Sequence, residues 1–153
     1  MSMKWGVVFA LICGCLAVPF PGTAADAPQM ATGNGEKNWI KTQGVKRDGQ
    51  LFTFADVAID GNGWLVIHQI VDGKPVGEKY LGATYLASGE SKNVAVEVVD
   101  YTPKAGEAFI VMLHRDVNEN KTFDFVFVGG GPHVVDKAVF EGEKMIALAF
   151  TAP

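Results

Sequence analysis

The chain has 153 residues, 20% of them charged, and a formal net charge of −4 at pH 7. A mild acidic excess argues against nucleic acid or an anionic membrane surface as a partner, and it favours solubility. Both cysteines, Cys13 and Cys15, lie near the start. The rest of the chain therefore excludes disulfides, thiolate catalysis and cysteine-ligated metal centres.

The first 25 residues have the pattern of a secretory signal peptide. Lys4 supplies a positive start, Trp5 to Val18 is an apolar run of 14 residues, and small residues precede Asp26. The run is short for a membrane span, which needs about 20 residues. Cleavage after residue 25 leaves 128 residues with a net charge of −5 and no predicted transmembrane segment.

An alternative treats residues 12–15 as a degenerate lipoprotein cleavage box, with Cys15 as the lipidated N-terminus. An apolar stretch still follows Cys15, where lipoproteins usually turn polar, so signal-peptide cleavage is favoured. Both interpretations predict export, either to the periplasm or to the extracellular space. Any partner there would be an unknown protein or a cell-surface component.

Residues 26–50 are polar and rich in turn formers, which predicts a flexible N-terminal segment that becomes ordered near Trp39. Residues 51–153 repeat short apolar runs with turn clusters between them, and they predict one β domain. The predicted strands include residues 51–59, 64–71, 76–81, 94–98, 108–113, 123–128, 134–140 and 145–151.

The repeated pattern predicts an all-β fold with almost no helix, because apolar residues nowhere follow a helical period for three turns. We expect an antiparallel β-sandwich of the immunoglobulin-like kind, with about seven to nine strands, in preference to a barrel. The run from Ala108 to Leu113 is apolar on both faces, which suits a central strand. Val94, Val96 and Val98 alternate with other residues, which suits a sheet with one wet face.

One loop has the spacing of a calcium site. Oxygen-bearing residues stand at positions 1, 3, 5, 7 and 9 of this loop, the seventh through its carbonyl: Asp116, Asn118, Asn120, Thr122 and Asp124. Position 6 is Lys121 instead of the usual Gly, and position 12 is Phe127, so no bidentate Glu closes the site. A polar turn, in which Asp and Asn side chains bind their own backbone, is the favoured alternative. Calcium is the one cofactor that the sequence suggests here.

Two histidines form a second candidate site. His68 and His114 each lie toward the end of an apolar strand, and Met112 shares a face with His114. If the two strands are neighbours, these three side chains can form a copper-type cluster, which His133 could join. The competing interpretation is that both imidazoles are structural and bind backbone or carboxylate groups.

No catalytic signature accompanies these sites. The sequence lacks Gly-x-Ser-x-Gly, and its triple glycine, residues 129–131, is not followed by the Lys-Ser/Thr of a phosphate-binding loop. We therefore predict that the protein is not an enzyme. The leading hypothesis is an exported binding or structural module with a weak calcium loop; the alternative is an exported copper-binding protein.

Three stretches resemble an uncharacterised secreted domain family found in haloarchaeal surface proteins and some bacterial exported proteins. They are Gly63 to His68, Met112 to Val126 and Val134 to Phe140, within a match that runs from about Val57 to Ala152. The resemblance implies export and a β-sandwich, and it implies no activity. Family members often have Gly where Lys121 stands, which implies a strained turn in this chain.

Overall fold

A computed structural model of the chain describes residues 30–128 and 131–153. Within these ranges every regular element is a strand and none is a helix. The strands are β1 (Trp39–Ile40), β2 (Lys46–Asp48), β3 (Leu51–Ile59), β4 (Gly63–Val71), β5 (Lys74–Leu86), β6 (Gly89–Glu97), β7 (Ala108–Arg115), β8 (Phe125–Val128), β9 (Gly131–Val134), β10 (Phe140–Glu141), β11 (Lys144–Met145) and β12 (Ala147–Thr151). The prediction of an all-β chain is confirmed.

The first sheet is built on β3, which pairs antiparallel with β6 along one edge and with β1 and β2 along the other. Phe52 and Phe54 lie on one face of β3 and are fully buried. In β6, buried Val94 and Val96 alternate with exposed residues, which confirms the predicted wet outer face. One face of β6 is therefore exposed, whereas the end of β3, from Val57 to Ile59, is buried at three successive residues.

The second sheet has the order β12-β7-β4-β5 and is antiparallel throughout. As predicted, the apolar strand β7 is central, between β12 and β4. β4 and β5 form a hairpin: Val71 pairs with Lys74, and Asp72 and Gly73 both have positive φ, as a two-residue primed turn requires. The central strand β4 is buried on both faces from Gly63 to His68.

The core lies between the inner faces of the two sheets. Phe52 of β3 contacts Phe109 of β7 and Phe150 of β12, at ring centroid distances of 5.5 and 5.4 Å. Leu65, Ile67, Val111 and Leu113 supply aliphatic packing from the second sheet. Because alternate residues of β4 and β7 fill this core, the residues between them are placed on the outer face of the second sheet.

The sheet begins earlier than the domain boundary predicted at residue 51. Trp39 and Ile40 pair with Ala58 and Val57, so the first sheet already includes β1. The turn before β1 is held by the amide of Asn34, whose Oδ1 accepts the Ile40 N–H at 2.8 Å and whose Nδ2 donates to the Ile40 carbonyl at 3.1 Å. Residues 26–29 of the predicted flexible segment, and the whole predicted signal peptide, lie outside the described residues.

The last third of the chain departs from the predicted pair of long strands. Residues 135–139 are not one strand; instead Arg115 N–H donates to the Lys137 carbonyl, and Val139 N–H donates to Leu113. The segment pairs with β7 at residues 113–115, beyond the part of β7 that pairs with β12. Its Asp136 carbonyl contacts the His114 ring, which lies on the outer face of the second sheet. In the described ranges, no helix has the length and apolar character needed to cross a membrane.

Candidate functional site

The outer face of the second sheet carries the candidate site. Trp64 pairs with His114, Val66 with Met112, and His68 with Ile110, so these six side chains share one face of β4 and β7. Gly63 lies directly against the His114 carbonyl, with no room for a side chain. The register therefore makes the strands of His68 and His114 neighbours, which is the condition that the copper-type cluster requires.

The two imidazoles stand side by side. Their ring centroids are 6.1 Å apart and their planes are inclined by 28°. His114 Nδ1 lies 2.8 Å from the Asp136 carbonyl, and His68 Nδ1 lies 3.0 Å from the Lys79 carbonyl and 3.2 Å from that of Val76. A carbonyl only accepts, so both rings carry their hydrogen on Nδ1 when neutral. Each Nε2 is then left with a free lone pair.

Both side chains are almost completely buried, His68 at 2% and His114 at 3% exposure. Among the described residues, neither Nε2 has a hydrogen-bond partner. Burial is also the main cause that lowers the pKa of His114 to about 4 and lowers the pKa of His68. Near neutral pH both imidazoles are therefore uncharged, which is the form that binds metals.

The two rings line one cavity of about 1120 Å³. Thioethers lie among the other lining groups, and Met112 is one of them, so the structure brings together all three predicted transition-metal ligands. Two more methionines line it, which sequence reasoning missed. The described lining contains no carboxylate, and its one charged side chain is Lys137: Met30, Ala31, Thr32, His68, Pro75, Gly77, Ile110, Met112, His114, Phe125, Lys137, Ala138 and Met145.

Aromatic rings pack around the histidines and hold their orientation. Phe125 meets His68 and His114 edge-on, at centroid distances of 5.6 and 5.5 Å, and Phe123 meets His114 at 5.2 Å. Phe123 and Phe125 stack on each other at 5.4 Å. Because the rings are packed from several sides, each Nε2 has a fixed direction before any ligand arrives.

The N-terminal end of the described chain forms part of the cavity wall. Met145 N–H donates to the Ala31 carbonyl at 2.9 Å, and Gly33 N–H donates to the Met145 carbonyl at 3.1 Å. Farther along, the Glu141 carboxylate accepts the N–H groups of residues 36, 37 and 38 and the Asn38 side-chain amide. These bonds lower the pKa of Glu141 to about 2, the Asn38 amide contributing most.

The predicted calcium loop has a different character, because its oxygens already accept hydrogen bonds. Buried Asp116 accepts the N–H groups of Asn120 and Lys121 at 3.2 and 3.1 Å. Asp124 Oδ2 accepts the side-chain amides of Asn118 and Asn120, both at 2.8 Å. The N–H of Thr122 donates to Asn120 Oδ1 at 2.7 Å. The loop therefore has the hydrogen bonds of the polar-turn alternative, and the calcium interpretation stays a prediction.

Asp136 forms hydrogen bonds both to this loop and to a histidine of the cavity. Its side chain is fully buried and accepts the N–H groups of Val117 and Asp124 at 3.1 and 2.9 Å, while its carbonyl faces His114 Nδ1. Lys121 has a φ of 57°, the left-handed conformation expected from its place in the turn. Within the described residues, no three His, Cys, Asp or Glu side chains are grouped as a metal site.

Sequence reasoning missed Met30, Asp136, Glu141 and Met145. The spacing of Met30 and Met145 along the sequence gives no signal. The two residues come close only because Met145 pairs with the segment that directly follows Met30. His133 lies in β9, paired with Val126, and its side chain falls outside the described part of the structure.

Comparison with known proteins gives a family and no activity. Searches of curated proteins and of solved structures returned no match. A family model described as a domain of unknown function, DUF7282, matches residues 39–148. That span holds both sheets' long strands, the two buried histidines and the loop after β7, and the chain belongs to this family.

Proposed function

We propose that this protein is an exported, non-catalytic binding module that takes up a copper ion at the His68–His114 cavity. One observation carries the proposal: two neighbouring buried imidazoles, each with Nδ1 held by a backbone carbonyl, leave both Nε2 lone pairs without a partner among the residues that the structure describes. Metal-binding histidines typically have this arrangement, because the outer hydrogen bond fixes the tautomer and the ring direction.

The chemistry of the cavity favours copper over a hard ion. Imidazole nitrogen and the thioether of Met112 are ligands that suit copper, while calcium and magnesium prefer carboxylate and carbonyl oxygens. The described lining has no carboxylate, so it lacks the anionic oxygen ligands that usually bind a hard divalent ion. When bound, the ion would be held by the Nε2 atoms of His68 and His114 and by the thioether of Met112.

Export and the immunoglobulin-like fold are parts of the same proposal. The leader pattern of residues 1–25 supports export, as does the resemblance to a secreted family. The face-to-face packing of two antiparallel sheets supports an immunoglobulin-like sandwich. Imidazole and thioether ligands are also acceptable in an oxidising compartment, where the absence of cysteine after residue 15 leaves no thiol to oxidise.

Thermal unfolding with added ions tests the proposal. A ligand that binds the native state at about 100 times its Kd raises the free energy of unfolding by about 2.7 kcal/mol. We expect copper to raise Tm and calcium to leave it unchanged, with a chelator reversing the copper effect. A water molecule that donates to both Nε2 atoms is the competing explanation; in that case copper would leave Tm unchanged, which would refute the proposal.

A further inference from the structure

The positions of the methionines in the structure indicate further ligand atoms at this site. The chain has five methionines, two of which are Met1 and Met3 in the predicted leader. All three others, Met30, Met112 and Met145, line the cavity that contains the paired histidines. They come from three separate segments of the chain. Every thioether of the predicted mature protein is therefore at one place.

Packing does not account for this placement. Methionine often fills gaps in hydrophobic cores, yet the core between the sheets contains none of the three. Met30 is 59% exposed, and Met112 and Met145 are half-buried at the cavity. Exposed and half-buried thioethers gain little from burial, so their gathering needs another explanation.

The backbone fixes Met145 beside the edge of β7, the strand that carries His114. Ala147 pairs with Met112, and the Ile146 carbonyl accepts the Leu113 N–H at 3.0 Å, so Met145 follows directly from a paired register with β7. On its other side Met145 is bonded to Ala31 and Gly33, next to Met30. Its position is thus set by two flanking segments.

We propose that the copper ion is held as Cu(I), with the thioether of Met145 as a ligand in addition to Met112 and the two imidazoles. This inference rests on the proposed function. Two imidazole nitrogens and two thioether sulfurs make a set of four neutral ligands, and soft thioethers select Cu(I). The described lining has no carboxylate and one lysine, so no anionic group there offsets the charge of a bound cation, and the single charge of Cu(I) costs less than the double charge of Cu(II). Met30, at the exposed rim, is the first thioether that an arriving ion meets.

Anaerobic competition against a colorimetric Cu(I) chelator tests this on the whole protein. Met145→Leu keeps the size and apolar character of the side chain and removes the sulfur. We expect it to lower the Cu(I) affinity about tenfold or more while changing the Cu(II) affinity, which depends on the histidines, by less than about threefold. Met112→Leu should behave similarly.

A measurement on the unsubstituted protein removes any dependence on how the variants fold. With methionine methyl groups labelled with carbon-13, Cu(I), or Ag(I) as a redox-inert substitute, should shift the Met112 and Met145 methyl signals most. Unchanged Cu(I) affinity in Met145→Leu, an equal loss of Cu(I) and Cu(II), or an unshifted Met145 methyl would each overturn the inference. In those cases copper binding that depends on His68 and His114 would still stand; binding of neither ion would instead refute the proposed function.

Discussion

The cavity and the loop after β7 are neighbours that differ in what their polar atoms already do, although the sequence indicates both as ion sites, the loop as the leading candidate and the histidines as the alternative. In the loop, Asp116, Asn118, Asn120 and Asp124 accept or donate hydrogen bonds among themselves and to the backbone. In the cavity, His68 Nε2 and His114 Nε2 have no partner within the described residues. The spacing of oxygen-bearing residues in a sequence is thus a weaker guide to an ion site than buried polar atoms that have no hydrogen-bond partner.

The largest expected effect separates the two regions by copper affinity. His68→Gln and His114→Gln each remove a proposed ligand, so each should weaken copper binding about 100-fold or more, since even outer-shell changes cost 10–100-fold. Asp124→Asn, a loop variant, should leave copper affinity unchanged. Equilibrium titration of the three variants with copper checks this. A loss of copper affinity in Asp124→Asn equal to that in the histidine variants would show that the loop and the cavity are not separate binding sites.

The second effect concerns the residue that joins the two regions. Asp136→Asn replaces one buried carboxylate oxygen by an NH2 group, which cannot accept, so one of the two N–H groups, that of Val117 or that of Asp124, loses its acceptor. The unfolding free energy should fall by about 2 to 3 kcal/mol, because a buried donor loses a charged acceptor. Chemical denaturation measures it, with Asp72→Asn in the exposed β4–β5 turn as the matched control, expected within about 0.5 kcal/mol. Equal effects in both variants would show that Asp136 does not hold the loop.

Much of the fold follows from the sequence in physical terms. Buried Phe52 and Phe54, the alternating valines of β6, the Asp-Gly turn after β4 and the central place of β7 all come from local pattern and apolar content. The positive φ of Lys121 agrees with the strained turn that the family resemblance implied, which local pattern alone did not supply.

The cavity could not be predicted in the same way. Residues 134–140 look like a strand because they are apolar, but buried Asp136 turns its carboxylate to the loop and its carbonyl to His114. Local sequence does not show whether an aspartate will be buried. Met30 and Met145 join the site through backbone pairing of distant segments, and such long-range contacts leave no trace in local spacing.

The third expected effect is on the pH dependence of stability, and it concerns Glu141, whose carboxylate holds residues 36–38. The pKa of Glu141 is about 2 in the folded protein and near its ordinary value of 4.5 when unfolded. Its stabilising contribution is therefore complete above about pH 4.5 and lost as the pH falls toward 2. We expect Glu141→Gln to have a lower Tm than the original protein at pH 7, with the difference shrinking below pH 4.5. Thermal scans across this range check it; a constant difference would contradict the role of the charge.

The smallest effect sharpens the picture of the loop. Lys121→Gly removes the steric cost of a left-handed residue but also removes an ammonium that lies 5.6 Å from the Tyr85 ring centroid. The net result should be a gain of roughly 0.5 kcal/mol in unfolding free energy. Lys121→Ala keeps the backbone cost and loses the ring contact, so it should be destabilising. If both variants change stability equally, backbone strain at residue 121 is not a factor.

Copper X-ray absorption on the loaded protein tests the central claim most directly, because it reports the atoms that touch the ion. We expect the scattering pattern of two imidazoles together with a sulfur shell, and we expect both to disappear in the His68→Gln/His114→Gln double variant. An oxygen-only environment, or a spectrum that the double variant leaves unchanged, would contradict the assignment of the cavity as the binding site.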